Sequence, residues 1–319
     1  MSLAAQPQNR QHGLYNTQGE SHPQTCYLFS YFKGNGEDGL HLAYSYDGLT
    51  WKPLNKDKPL LEPEVGHDKL MRDPCIIRGR DGRFHMVWTV SWREKGIGYA
   101  NSTDLLHWSP QRYIPVMEHK PKAQNTWAPE FFYDDVKEQY LILWATTIPG
   151  RFPQTDGQGS SKLNHRIYCT TTRDFKTFSK ARLFYDHGFN VIDATIVKDG
   201  KRYIMFLKDE TNIPFMPQKN IRLAVSEKAE GPYGPSSPPI TGKYWCEGPS
   251  AIKIRDRWFV YFDKYREHRY CAVISKDLKT WQDISDEVNF PKGTRHGTVF
   301  EVSKAILSPL LAASQRVHD

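Results

Sequence analysis

This 319-residue chain is 39% hydrophobic and 25% charged, a composition typical of globular proteins that fold in water. Its apolar stretches are all far shorter than the roughly 18 residues a membrane-spanning helix needs, so a membrane-spanning protein is excluded. The formal net charge is +7, but the lysines and arginines are scattered through turns, which favours a solvated basic surface over a nucleic-acid-binding patch.

The cysteines argue for a reduced, metal-free core. They lie at positions 26, 75, 169, 246 and 271, without the Cys-x-x-Cys spacing of a zinc site and in an odd number that does not suit a full disulfide framework. Four of the five lie in or beside apolar strand segments, which predicts small buried hydrophobic side chains.

The N-terminal part divides into an arm and three strands. Residues 1–24 are polar and rich in glutamine and asparagine, and we predict a flexible arm there. Short aromatic and β-branched runs follow, which predict strands; they are CYLFSYF from Cys26, LHLAYS from Leu40 and LTWKPL from Leu49.

Four stretches then repeat one arrangement: an acidic residue, a short apolar run, a polar turn and an aromatic-rich run. The acidic residues are Asp73, Glu130, Asp193 and Glu247, and the first aromatic residue of the second run follows ten or eleven positions later in every copy. This regularity indicates an internal repeat, with each copy opening on an inner strand that an acidic side chain begins.

A Ser/Thr-x-Asp turn follows a third run in each unit. The turns begin at Ser45, Ser102, Thr172 and Ser275, with a degenerate copy at Ser226. The spacing is typical of four-stranded propeller blades. No long run keeps the 3.6-residue helical period, so we predict an all-β, five-bladed β-propeller.

The end of the chain predicts how the ring closes. One further inner-strand candidate, RHGTVFEVS, begins at Arg295, and its outer strands are missing downstream. Pairing it with the N-terminal strands would complete a fifth blade from both termini and leave no open sheet edge. We therefore predict one propeller domain over residues 25–305 and a C-terminal tail over residues 306–319.

The ring brings distant residues together. The first strand of each blade lines the axis, so we expect Asp73, Glu130, Asp193, Glu247 and His296 to meet at one end of the channel. Crowded carboxylates raise the pKa of some members. Glycoside hydrolysis needs one protonated carboxyl group and one ionised carboxylate, which makes Glu247 a candidate general acid.

Five motifs resemble glycoside hydrolase family 43 over roughly residues 25 to 305. They are RDP at 72–74, WAPE at 127–130, VIDATIV at 191–197, EGP at 247–249 and RHG at 295–297. The resemblance implies an inverting enzyme acting on arabinose- and xylose-containing glycans. It implies that Asp73 is the general base, that Glu247 is the general acid, and that Asp193 orients the acid and raises its pKa.

The resemblance also implies supporting residues. Arg295 would reach the substrate and help Asp73 to stay ionised. His296 would help to hold a hydrated ion, commonly calcium, on the axis, and a buried core histidine is the alternative; no other cofactor is expected. Two departures stand out: Asp193 is followed by Ala194 where the family often has proline, and RDP also occurs in invertase-like propellers, whose Asn-Asp-Pro-Asn turn is absent here.

Three more residues have two interpretations each. Trp127 is either a platform for a sugar ring or an aromatic packed between blades. Glu130 either binds sugar hydroxyls or holds a neighbouring loop. Trp92 either forms part of the rim of the pocket or takes no part in the site.

The predicted function is an exo-acting glycosidase that releases α-L-arabinofuranosyl or β-D-xylosyl units. The alternatives are a carbohydrate-binding propeller without turnover and a related enzyme acting on galactosyl or fructosyl linkages. The partner is an oligosaccharide or polysaccharide, the protein is expected to be a monomer, and such substrates favour a secreted or periplasmic location. Specificity depends on loops such as the one from Thr146, whose shape the sequence does not determine.

Overall fold

The computed structural model describes residues 25–159, 162–212 and 219–315. The predicted N-terminal arm over 1–24 lies outside the described residues. The described strands begin with β1 (Thr25–Tyr31), β2 (His41–Ser45) and β3 (Lys52–Pro53). The first blade is β4 (Arg72–Arg78), β5 (Phe84–Thr89), β6 (Ile97–Ser102) and β7 (Arg112–Ile114). The second blade is β8 (Trp127–Asp134), β9 (Gln139–Thr147), β10 (His165–Thr172) and β11 (Arg182–Tyr185).

The remaining blades follow the same plan. The third blade is β12 (Val191–Asp199), β13 (Arg202–Asp209) and β14 (Ile221–Ser226). The fourth blade is β15 (Glu247–Ile254), β16 (Arg257–Lys264), β17 (Arg269–Ser275) and β18 (Gln282–Asp283), and β19 (Thr298–Ser303) comes last. The five antiparallel sheets form a ring in which the inner strands β4, β8, β12, β15 and β19 contact their neighbours, which confirms the five-bladed propeller.

The fifth blade joins the two ends of the chain, as predicted. Its strand order is β19-β1-β2-β3, and Cys26 lies opposite Val302 while Leu28 lies opposite Phe300. The last inner strand therefore has the partner strands that it lacks downstream, and the fifth blade is complete.

The Ser/Thr-x-Asp repeat is a turn stabilised by its own side chains. Ser102 Oγ accepts hydrogen bonds from the backbone N–H groups of Asp104 (3.1 Å) and Leu105 (2.8 Å). Asp104 Oδ1 in turn accepts from Leu106 (2.9 Å) and His107 (2.8 Å). Because these side chains satisfy four backbone donors, the sequence recurs wherever a third strand ends. The turns at Ser45, Thr172 and Ser275 have the same bonds.

The C-terminal segment differs from the predicted tail. Residues Lys304–Gln315 form helix α1, and Leu307 and Leu310 are buried in the apolar cluster shared by the first and fifth blades. An apolar pair three residues apart on one helix face explains this packing. No helix in the described ranges is long and apolar enough to cross a membrane, and the five cysteines are all buried and form no disulfide.

An engineered disulfide tests the closure. Cys26 and Val302 face each other across β1 and β19, at a separation that suits a disulfide. We expect Val302→Cys to form a reducible cross-link and to raise stability by about 2–4 kcal/mol in the oxidised protein. Non-reducing peptide mapping and thermal melts with and without reductant measure this.

The matched control is Cys26→Ser combined with Val302→Cys, which keeps the new thiol and removes its partner. A melt that responds to reductant in this control would contradict the pairing of the two termini. So would peptide maps of the single variant that show no link between Cys26 and the new thiol at position 302.

Candidate active site

A bulge in each of four inner strands presents side chains to the axis. The pairing register shifts between Arg72 and Cys75 in β4, and at the equivalent places in β8, β12 and β15. The residue after the start of each shift has a positive φ; these residues are Asp73 (52°), Ala128 (48°), Asp193 (53°) and Gly248 (63°). Such bulges re-aim side chains and are common beside active sites.

The bulges arrange the inner strands in three layers around the axis. The outermost layer contains Arg72, Trp127, Ile192, Glu247 and Arg295. The middle layer contains Asp73, Ala128, Asp193, Gly248 and His296. The third layer contains Cys75, Glu130, Thr195, Ser250 and Thr298. The site residues of the first two layers open into one cavity of about 410 Å³.

The cavity brings most predicted residues together. Its lining includes Asp73, Asp193, Glu247, Arg295, His296, Trp92 and Trp127. Gly248 allows this crowding, because a Cβ atom there would collide with the His296 ring.

Glu130 does not line this cavity, because it lies one layer deeper than Asp73. Its carboxylate is buried and accepts hydrogen bonds from Thr298 Oγ1 (2.9 Å), Thr195 Oγ1 (3.2 Å) and Cys75 Sγ (3.3 Å). Burial raises its pKa to about 7, although His296 and these bonds oppose the shift. Ala128 occupies the position equivalent to Asp73, so the alignment of Glu130 with Asp73 is wrong. The contacts correspond to an anchor between blades.

Asp73 is held as an ionised carboxylate. Its Oδ2 accepts a hydrogen bond from Thr89 Oγ1 (2.8 Å), and its Oδ1 lies 3.3 Å from His296 Nδ1. Burial raises its pKa, but the bond and charge of His296 and the charge of Arg72 outweigh burial and lower it to about 2. Burial lowers the pKa of His296, whereas Asp73 and Asp193 raise it to about 9. His296 and Arg72 are thus the main sources of the positive charge that keeps Asp73 ionised, and Arg295, predicted for this role, also attracts Asp73.

Of the three carboxyl groups Asp73, Asp193 and Glu247, Asp193 retains a proton most readily. Its Oδ2 accepts a hydrogen bond from the backbone N–H of Gly248 at 3.0 Å, which ties it to the residue next to Glu247. Burial and the negative charges of Glu247 and Asp73 raise its pKa to about 6, against the opposing charges of His296 and Lys208.

Glu247 is enclosed by two cations. Lys208 Nζ lies 2.9 Å from its Oε2, and Arg295 Nη2 lies 3.1 Å from its Oε1. Burial raises the pKa of Glu247, but these cations outweigh it and hold the pKa below the ordinary value. The expectation of a raised pKa is wrong for the substrate-free protein, because sequence reasoning did not find Lys208.

Arg295 joins two carboxylates at the cavity wall. Besides Glu247, its Nε donates to Asp263 Oδ2 at 2.5 Å. Burial and repulsion by Glu247 raise the pKa of Asp263 to about 6. The guanidinium is one-quarter exposed, so it is held in place and still faces the cavity.

Three residues of the site that the sequence analysis did not identify lie on the second strands of the blades. Thr89, Lys208 and Asp263 are at or near the ends of the second strands β5, β13 and β16. Since each second strand runs antiparallel to the first, its end returns to the catalytic end of the blade. A polar residue directly after an apolar second run was the signal that could have found them.

Lys208 is part of a buried ion chain. Its Nζ also lies 2.7 Å from Glu210 Oε2, and Glu210 accepts a hydrogen bond from Lys219. The Lys208 side chain is only 2% exposed and lies 4.9 Å from the Tyr265 ring centre. These contacts hold Lys208 in place against Glu247.

Aromatic and imidazole side chains form the other wall. Trp92 and Trp127 meet edge to face at 5.4 Å, and Arg72 stacks on Trp92 at 4.2 Å. His165, which no motif indicated, lies 4.7 Å from Trp127 and lines the cavity. The His165 side chain is buried, and burial lowers the pKa of its imidazole to about 4, so His165 is a neutral polar group at this wall.

The predicted axial calcium ion has no direct ligand set here. The described residues contain no group of three or more His, Cys, Asp or Glu side chains suited to one metal ion, and calcium takes about 6–8 oxygen ligands. His296 faces Asp73, and the Glu130 oxygens accept from hydroxyl and thiol groups. The axial calcium ion remains a prediction.

Comparison with known proteins shows the family to which this chain belongs. Residues 22–307 match the family model for domains related to glycosyl hydrolase family 43, described as "Probable glycosyl hydrolase domain". An α-L-arabinofuranosidase of Bifidobacterium longum subsp. longum is 25% identical over 276 residues, which cover 73% of this chain and 25% of that protein. The chain thus spans about a quarter of the length of this curated relative.

Solved structures agree on the fold. The α-L-arabinanase of Cellvibrio cellulosa, complexed with arabinohexaose, has a TM-score of 0.58 at 15% identity and covers 85% of this chain and 96% of its own. The catalytic domain of the GH62 α-L-arabinofuranosidase of Coprinopsis cinerea has a TM-score of 0.52 at 12% identity, covering 73% and 77%.

Proposed function

Because this chain belongs to the glycosyl hydrolase family related to family 43, we propose that its axial cavity hydrolyses O-glycosyl bonds with inversion. The observation that carries the proposal is three carboxyl groups from three blades lining one cavity in different electrostatic environments. Asp73 is ionised, Asp193 holds a proton up to about pH 6, and Glu247 lies between two cations. This is the division of roles that acid–base hydrolysis of a glycoside requires.

Asp73 acts as the general base in this proposal. Thr89 and His296 fix its carboxylate, which accepts a proton from the water that attacks the anomeric carbon. Because its pKa is about 2, the carboxylate is ionised across the pH range in which the protein would work. Asp73 and Glu247 come from blades that are not neighbours in the ring, which leaves room for water between base and sugar.

Glu247 acts as the general acid when the Asp193–Glu247 pair holds a proton. The two residues are linked through Gly248, and Asp193 lies close enough to titrate with Glu247. A coupled pair has macroscopic pKa values that belong to both groups. We propose that entry of the sugar between Glu247 and its cations shifts the shared proton to Glu247, which then protonates the leaving oxygen.

The substrate is proposed to be a terminal α-L-arabinofuranosyl or β-D-xylosyl unit. A cavity of about 410 Å³ is at the lower end of the roughly 300–1,000 Å³ range of small-molecule pockets, which favours binding a chain end. Trp92 and Trp127 offer ring faces to the sugar, and the neutral imidazole of His165 lines the same cavity.

A panel of nitrophenyl glycosides tests this function. Hydrolysis of the arabinofuranoside or the xyloside would support the proposed function. Hydrolysis of the galactoside alone would contradict the proposed sugar and indicate that the substrate is a galactosyl unit. If no glycoside is hydrolysed while sugars still bind in the cavity, the alternative of a binding propeller without turnover holds.

The pH profile of Lys208→Met tests the role of the ion chain. The ammonium of Lys208 lowers the pKa of Glu247 and opposes the rise at Asp193, so its removal should allow the pair to keep its proton to higher pH. We expect the alkaline limb of kcat/KM, near pH 6 in the parent protein, to move upward by at least about one pH unit.

Lys219→Met is the matched control, because Lys219 is paired with Glu210 and the charge of Glu247 is the last of the influences on its pKa. The same limb should move much less in this control. An unchanged limb in Lys208→Met, or equal shifts in both variants, would show that Lys208 does not set the protonation of the acid.

A further inference from the structure

A second cavity lies at the opposite end of the propeller from the catalytic cavity. Its volume is about 1,050 Å³, and it shares no lining residue with the catalytic cavity. It lies between the first and second blades, where the β4–β5 and β8–β9 turns meet the turn that follows β10. At about 3.3 Å per residue, its lining residue Arg80 is roughly 20 Å along the chain from Asp73.

The rim of this cavity carries excess positive charge. It is lined by five cations, Arg80, Arg83, Arg112, Arg173 and Lys176, and by three carboxylates, Asp81, Glu138 and Asp174. None of the five cations forms an ion pair with a carboxylate of the described residues. Elsewhere on the surface arginines such as Arg182 and Arg202 are paired with carboxylates.

The contacts of these arginines leave donors available. Arg83 donates one bond to Asn101 Oδ1 (3.1 Å), Arg112 one to the carbonyl of Phe175 (2.9 Å) and Arg173 one to the carbonyl of Lys137 (3.2 Å). Each guanidinium has five N–H donors, so neutral acceptors fix the orientation of these groups without neutralising their charge.

Two of the three carboxylates already have other partners. Asp81 Oδ1 lies 3.0 Å from His85 Nε2 and accepts from the backbone N–H of Arg83. Asp174 Oδ1 accepts from the backbone N–H groups of Lys176 (2.9 Å) and Thr177 (2.8 Å). These carboxylates stabilise their own turns and form no ion pair with the five cations, so the excess positive charge at the rim remains.

The floor of the cavity is aromatic and well ordered by packing. His85 stacks on Phe175 with ring centres 3.8 Å apart, and Tyr140 packs on Phe175 at 4.5 Å. Tyr133 is half-buried at the edge, with Arg80 5.9 Å from its ring centre. A rigid apolar floor under a rim of guanidinium groups can bind a flat ring that carries an anionic group.

We propose that this cavity is a second, non-catalytic carbohydrate site that binds glycans carrying carboxylate groups, such as uronic acid residues. Guanidinium groups match carboxylates in a bidentate geometry, and Tyr133 provides a ring face for a sugar. The choice of a glycan over other polyanions rests on the proposed function, because a second site for acidic side groups would hold the polymer that the catalytic cavity trims.

Binding of oligogalacturonate tests the proposal. We expect titration calorimetry to show binding that weakens as salt is added, with no comparable binding of neutral arabinohexaose at this cavity. Because two exposed ion pairs would be lost, Arg112→Gln combined with Arg173→Gln should weaken binding about tenfold. Arg80→Gln combined with Arg83→Gln should have a similar effect. This second double variant tests the same cavity if the first double variant does not fold.

Lys52→Gln combined with Lys279→Gln is the control, since both lysines are exposed and the change in net charge is the same. It should alter binding by less than about twofold. The proposal is overturned if oligogalacturonate does not bind, if the control weakens binding as much as the arginine pairs, or if polyuridylate binds more tightly with the same arginine dependence. Binding is measured without turnover, so failure of every glycoside in the activity panel would overturn the proposed function and leave this test intact.

Discussion

Asp73→Asn is expected to reduce kcat by about 10²–10⁴-fold for every glycoside that the protein hydrolyses. Water must be deprotonated whatever the leaving group is, and an amide cannot accept that proton at neutral pH. The side chain keeps its size and can still accept the hydrogen bond from Thr89, so KM should change far less than kcat. Steady-state kinetics on aryl glycosides with leaving-group pKa values from about 5 to 10 measure this.

The fold of Asp73→Asn needs its own check, because the imidazolium of His296 loses its 3.3 Å ion pair. Added azide distinguishes the explanations, since a small anionic nucleophile does not require a base and should restore release of the aryl group. Turnover within tenfold of the parent, or a large loss only for poor leaving groups, would contradict the role of Asp73 as base.

Glu247→Gln should show a loss that depends on the leaving group. We expect kcat to fall by about 10²–10⁴-fold for natural linkages and weakly acidic phenols, and much less for dinitrophenyl glycosides, which depart without a proton. The substitution also removes the charge that pairs with Lys208 and Arg295, so the pH profile should lose its alkaline limb.

Asp263→Asn is the comparison variant, because it also removes a carboxylate that contacts Arg295. It should affect good and poor leaving groups equally, because a disturbed arginine changes sugar binding and not the departure of the leaving group. If Glu247→Gln and Asp263→Asn give the same dependence on leaving-group pKa, Glu247 is not the acid.

The repeats explain why much of the fold was predictable. The Ser/Thr-x-Asp turns recur because the same side-chain bonds satisfy backbone donors where each third strand ends, as the bonds of Ser102 and Asp104 illustrate. The closing strand at Arg295 could be placed because it lacked partners downstream. Helix α1 was not predicted, since one short segment after the last strand has no repeat against which to compare it.

The site was predictable only where it coincides with the repeat. Asp73 and Asp193 occupy equivalent bulges, whereas the ten-residue spacing of Glu130 concealed that it lies one layer deeper. Lys208 is near the end of a second strand and His165 begins a third strand, both outside the repeated motifs, so their three-dimensional neighbours show what they contact in the site. The protonation of Glu247 depends on neighbours such as Lys208. The direction of its pKa shift was therefore predicted incorrectly from the sequence.

The stereochemistry of hydrolysis tests the central claim most directly. Proton NMR of the first sugar released from an aryl glycoside, recorded before mutarotation, should show the anomer opposite to that of the substrate. That result follows if water attacks from the side of Asp73 while Glu247 protonates the oxygen on the other side, with the two carboxyl groups roughly 6.5–9.5 Å apart. Release of the same anomer as the substrate would contradict direct displacement by water and the roles assigned to both residues.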